Sequence, residues 1–75
     1  MYRTSDLYFA AYLKTAGVPL ERTEREGRRV FFLFQDQGSA VMRELKDGYF
    51  MDKAKVPALS YAQALKSLKA LIYQT

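Results

Sequence analysis

The side chains able to do chemistry in this 75-residue chain are serines, carboxylates, arginines and lysines, for it holds neither Cys nor His. Without a thiolate or an imidazole there is no usual nucleophile–base pair, no Cys/His zinc set and no disulfide. Ser5, Ser39 and Ser60 each stand where a helix is expected to begin. A hydroxyl there accepts from a backbone N–H, so they read as caps rather than nucleophiles. The carboxylates are Asp6, Glu21, Glu24, Glu26, Asp36, Glu44, Asp47 and Asp52. Acid–base or divalent-metal work needs several of them to converge. Glu44 and Asp47 share a helix face, but Arg43 and Lys46 flank them and make it a solvated mixed-charge surface. No calcium loop or glycine-rich phosphate motif is present. The expectation is a non-enzymatic protein with no metal site and no cofactor.

Binding chemistry is better represented. Twelve basic residues against eight acidic ones give a formal charge of +4, a mild excess that suits a polyanionic partner and solubility alike. Arg22, Arg25, Arg28 and Arg29 surround Gly27. On a β-ribbon tip their guanidinium groups could contact nucleic-acid phosphates. Glu21, Glu24 and Glu26 interleave with them, and the same pattern also makes an ordinary charged edge strand. Lys53 and Lys55, with Lys66 and Lys69, form a second basic group near a single acid, Asp52. If the last helix packs beside the connector, these four lysines share a surface. Six Tyr and five Phe complete the inventory. Phe31, Phe32 and Phe34 lack the spacing of an RNA-recognition sheet and read as core, so an exposed Tyr is the better binding candidate.

The elements that position these residues follow from periodicity. Leu7 to Ala16 reads as a helix, apolar around most of its circumference, with Thr4 or Ser5 as cap and Gly17 as stop. Leu20 to Glu26 and Arg28 to Asp36 read as a hairpin with its apex at Glu26-Gly27. Val30, Phe32 and Phe34 share one face of the second strand, Phe31 and Leu33 the other. That two-sided apolar strand calls for helices on both sides, a third strand from Tyr2-Arg3-Thr4, or pairing with a second copy. A short helix after Ser39 carries Val41, Met42, Leu45 and Tyr49 on one stripe and stops at Gly48. The last helix carries Tyr61, Leu65, Leu68 and Ile72 inward; it begins either at Pro57 or at a capping box over Ser60-Tyr61-Ala62-Gln63.

A chain this long buries only about 60% of its unfolded surface, enough for one marginal core. The expected fold is therefore α+β, one domain over residues 1–75 in the order α-β-β-α-α, with a central antiparallel hairpin packed against three helices. No apolar run is long enough to cross a membrane. The opening Met1 to Asp6 lacks signal-peptide order, so no membrane partner and a cytoplasmic location are expected.

Several stretches taken in order carry a family resemblance: Tyr2-Arg3-Thr4-Ser5-Asp6-Leu7, Ala10-Ala11-Tyr12-Leu13, Gly17, Arg29-Val30-Phe31-Phe32-Leu33-Phe34, Lys55-Val56-Pro57-Ala58-Leu59, Leu68-Lys69 and Leu71-Ile72-Tyr73. Together they resemble a group of short bacterial and phage-associated proteins catalogued as a domain of unknown function. The resemblance implies a free-standing small domain of prophage or mobile-element genes and supplies no activity or site residues. The leading expectation is a nucleic-acid-binding module acting through Arg22, Arg25, Arg28, Arg29, Lys53, Lys55, Lys66 and Lys69. The alternative is a protein-interaction or homodimeric self-assembly module, using the two-sided strand or the Tyr8/Tyr12 face of the first helix.

Overall fold

The computed structural model describes residues 1–75 as β1 (Tyr2–Thr4), α1 (Leu7–Thr15), β2 (Leu20–Glu26), β3 (Arg29–Phe34), α2 (Ser39–Phe50) and α3 (Ala58–Gln74). The α+β class, the hairpin and the three helices are those the sequence predicts. The Tyr2-Arg3-Thr4 strand is realised as well. It pairs antiparallel with β3, and β2 pairs on the other side, giving the order β1-β3-β2. β3 is thus the central strand, which is where a run of β-branched and aromatic residues belongs. Both its edges are hydrogen-bonded, so it has none to offer a second copy. The hairpin turns at Gly27-Arg28, one residue beyond the expected Glu26-Gly27 apex, because Glu26 still pairs with Arg29 and Gly27 adopts φ +64° at no steric cost.

Register fixes the two faces. Tyr2 and Leu20 lie opposite Phe34, and Thr4 and Thr23 opposite Phe32, so these residues share the inner face with Val30. Phe32 and Phe34 join Phe9, Leu13 and Leu68 as the largest fully buried side chains. α1 packs against α3 over this face, and Phe9, Ala10, Ala11, Tyr12 and Leu13 are buried in succession. Five consecutive buried residues leave a helix with almost no solvent side, in keeping with its all-round apolar sequence. α2 adds Met42 to the same core.

The outer face carries Arg3, Arg22, Glu24, Glu26, Phe31 and Leu33, and no helix covers it. Its apolar residues are shielded by charged side chains instead. The Arg3 guanidinium lies 3.5 Å from the centroid of the Phe31 ring and bridges across to Glu26. Arg3 and Arg22 flank Leu33 on either side, and Leu33 is left only 6% exposed. The Arg3 guanidinium itself covers the Phe31 ring, and the Arg3 and Arg22 side chains cover Leu33 from the two neighbouring strands.

Several helix ends differ from expectation. α1 is capped by Asp6, not by Thr4 or Ser5: one carboxylate oxygen accepts from the Tyr8 and Phe9 N–H groups at 3.0 and 3.1 Å. With β1 extending through Thr4, the helix still starts at Leu7 and the cap falls to the residue just before it, Asp6. At α2 the cap position falls to Gly38, and Ser39 is the first helical residue. Gly48 does not stop that helix, which continues to Phe50 because Gly48 keeps helical geometry and the left-handed reversal comes at Asp52 (φ +58°). Val41 stands outside the stripe at 46% exposure, while Met42, Leu45 and Tyr49 stay inward. α3 begins directly after Pro57, with Ser60 inside the helix, so the capping box is not used.

Candidate functional site

The hairpin separates its four arginines by strand parity. Arg25 lies opposite Val30 and therefore on the inner face. Its guanidinium turns to the end of α3, donating to the carbonyls of Thr75 at 2.9 Å and Ile72 at 3.1 Å. A cation on the last carbonyls of a helix meets the negative end of the helix dipole. Arg25 is thereby occupied as a tie between sheet and helix. Arg22 pairs with Glu24 at 3.1 Å on the outer face. That bridge and Arg3–Glu26 are the ion pairs of the protein, so Arg28 and Arg29 carry none and stand exposed at the tip.

The lysines fall in two places. Lys53 and Lys55 line a hollow of about 470 Å³ with Tyr12, Val41 and Leu45, and no residue of α3 reaches it. Lys66 and Lys69 are exposed on α3, on the side away from Ala64 and Leu68. The end of α3 is held to β2 by Arg25 and by the Thr23–Thr75 hydroxyl contact at 2.9 Å. Lys69 lies about one helical turn before Ile72, whose carbonyl the Arg25 side chain reaches from β2. No group of three or more carboxylates is placed to hold a metal ion.

A second feature escaped the charge-based reading. Tyr12, Tyr49, Phe50 and Tyr61 line a cleft of about 380 Å³, completed by Ala54, Val56 and Asp52. The Tyr49 and Phe50 rings meet at 89° with centroids 5.0 Å apart, and Tyr12 and Tyr49 lie 5.5 Å apart. α3 fixes one wall, because the Tyr61 hydroxyl donates to the Tyr8 carbonyl at 3.1 Å. Burial pushes the Tyr49 phenol above its ordinary value, reinforced by the charges of Tyr61 and Asp6. Burial likewise raises Tyr61, partly offset by its contact with Tyr49 and reinforced by Asp6. Both hydroxyls therefore stay protonated at neutral pH, in the negative field of Asp6. The available signal was the surplus of Tyr beside an acid, which shows no local spacing because the rings come from three helices. Tyr8, by contrast, is exposed outside the cleft, and Tyr12 is buried, so α1 has no continuous tyrosine face.

The family model that matches residues 1–74 is described as a domain of unknown function, DUF5659. The chain belongs to this family. The DUF5659 match runs along this chain from β1 to the end of α3. No curated protein and no solved structure matches it. No helix is long and apolar enough to cross a membrane.

Proposed function

We propose that this DUF5659 domain is a non-enzymatic binding module whose hairpin tip contacts nucleic acid through Arg28 and Arg29. One observation carries the reading. The acids opposite the outer-face arginines are taken up by Arg3–Glu26 and Arg22–Glu24, while both tip arginines remain exposed and without an ion pair. Local charge at the tip is therefore positive although the hairpin as a whole is nearly balanced, and it is local positive charge that displaces counterions from phosphates. Lys66 and Lys69 lie on the helix tied to β2 and extend the field; Lys53 and Lys55 add to it only at longer range. A prophage or mobile-element origin and a cytoplasmic location fit this reading and belong with it as proposals.

The experiment is a titration of the isotope-labelled protein with a short DNA duplex at low and physiological salt. Amide shifts should centre on Gly27 to Val30, extend toward Lys69, and weaken as salt rises. An absence of shifts at both salt concentrations would remove nucleic acid from consideration.

A second reading, a protein-interaction or self-assembling module, draws on Phe50 and Met51, which are 60% and 61% exposed at the end of α2. Neighbouring exposed apolar side chains of this size mark contact surfaces. Sedimentation showing a monomer at every concentration would count against self-assembly.

A further inference from the structure

We propose that the tyrosine cleft between α1, α2 and α3 is a binding site for an alkylated ammonium group, held against the rings of Tyr49, Phe50 and Tyr61 and the carboxylate of Asp52. The ring pair at 89° forms a corner, and Tyr61 supplies a wall from another helix. Aromatic faces carry negative electrostatic potential and attract a cation that sheds its water easily, as a quaternary ammonium does. The volume of about 380 Å³ lies at the small end of ligand pockets, matching a compact group rather than a nucleotide.

Charge complementarity selects a cation over a neutral apolar group. Asp52 lines the cleft, and no Arg or Lys does. Lys53 and Lys55 line the hollow on the Val41 and Leu45 side. The Asp6 carboxylate, anchored at the α1 cap, adds a negative field that reaches the Tyr49 and Tyr61 hydroxyls. Asp52 is also the one non-glycine residue with positive φ, at +58°. Glycine would fill that position with less strain, so an acid there is held at a conformational cost.

The test is an NMR titration of the whole chain with choline and with its neutral isostere, in which carbon replaces the nitrogen. Choline should shift Tyr49, Phe50 and Tyr61 saturably, and the isostere should bind about tenfold more weakly. Asp52→Asn keeps a residue that tolerates the left-handed backbone and should weaken choline binding roughly threefold to tenfold. Asp52→Gly should weaken binding equally while raising the melting temperature. Phe50→Ala removes a wall at a position 60% exposed, though its ring also meets Phe9 at 5.7 Å, so its fold is checked by circular dichroism. A trimethyl-lysine dipeptide analogue that outcompetes choline assigns the cation to a protein side chain; the reverse assigns it to a small molecule. Shifts that do not saturate, equal affinity for the neutral isostere, or indifference to all three variants would overturn the proposal. None of these outcomes depends on nucleic-acid binding at the hairpin.

Discussion

Replacing Asp6 separates a cap from a charge. Its carboxylate accepts from the Tyr8 and Phe9 N–H groups at the start of α1, and α1 is the helix on which the core is built. Loss of such a cap costs roughly 0.5–2 kcal/mol. The Tyr8 N–H is exposed and water can replace its acceptor, whereas the Phe9 N–H is partly buried. The expected cost of Asp6→Ala is therefore about 1 kcal/mol, in the middle of that range. In a domain this small it appears as a fall in Tm of about 4–8 °C. Asn caps as well as Asp, so Asp6→Asn should stay close to the parent. Ser5→Ala should also do so, for Ser5 is exposed and lies outside the cap. Thermal and urea unfolding followed by circular dichroism measure all three. If Asp6→Asn is as damaging as Asp6→Ala, the contribution is charge rather than the hydrogen bonds. If Ser5→Ala is the damaging change, the cap is misassigned.

Other positions give equally direct tests. Gly48→Ala should stabilise by about 0.5–1 kcal/mol, because Gly48 is helical and an added Cβ meets only the Tyr12 hydroxyl, at 4.0 Å; a loss on urea unfolding would contradict this. Leu68→Ala at the fully buried centre of α3 should cost about 2–5 kcal/mol. That is a large share of the roughly 4–11 kcal/mol expected for the whole domain, so the variant should be largely unfolded on mild heating. Tyr2, Tyr49 and Tyr61 are all raised, chiefly by burial, so folding favours their protonated forms. Their contribution is complete below about pH 10, the unfolded value, and is lost as pH rises through the folded values. Stability should therefore fall on the alkaline side, and Tyr49→Phe with Tyr61→Phe should flatten that fall; identical alkaline limbs would refute it.

The sequence disclosed the fold more fully than the site, for reasons visible in single residues. Arg29–Phe34 is apolar on both faces, which demanded cover, and the three-residue strand at Tyr2 answered part of that demand. Cover on the outer side came from the Arg3 guanidinium over Phe31 and the arginine side chains beside Leu33, which a binary apolar–polar pattern does not register. Arg25 looked like its neighbours because charge is legible in sequence and facing is not. Once the two-residue turn is placed at Gly27-Arg28, parity sets Arg25 opposite Val30 and inside. The tyrosine cleft was hidden for a different reason: Tyr12, Tyr49 and Tyr61 are far apart in the chain and meet only when the helices pack. Helix ends were the least legible part, since Asp6, Ser39 and Gly48 each suit more than one position near a terminus.

The most direct measurement is the salt dependence of duplex-DNA affinity for the parent, for Arg28→Ala with Arg29→Ala, and for Arg25→Ala. Each phosphate contact contributes about 0.9 to the slope of log affinity against log salt, so the tip double variant should lower the slope by roughly 2. Arg25→Ala should unfold more readily, for it loses the tie to Ile72 and Thr75, yet bind with the parent's slope wherever it is folded. A slope unchanged by removal of both tip arginines, or lowered by removal of Arg25 alone, would contradict the assignment of the tip as the binding surface.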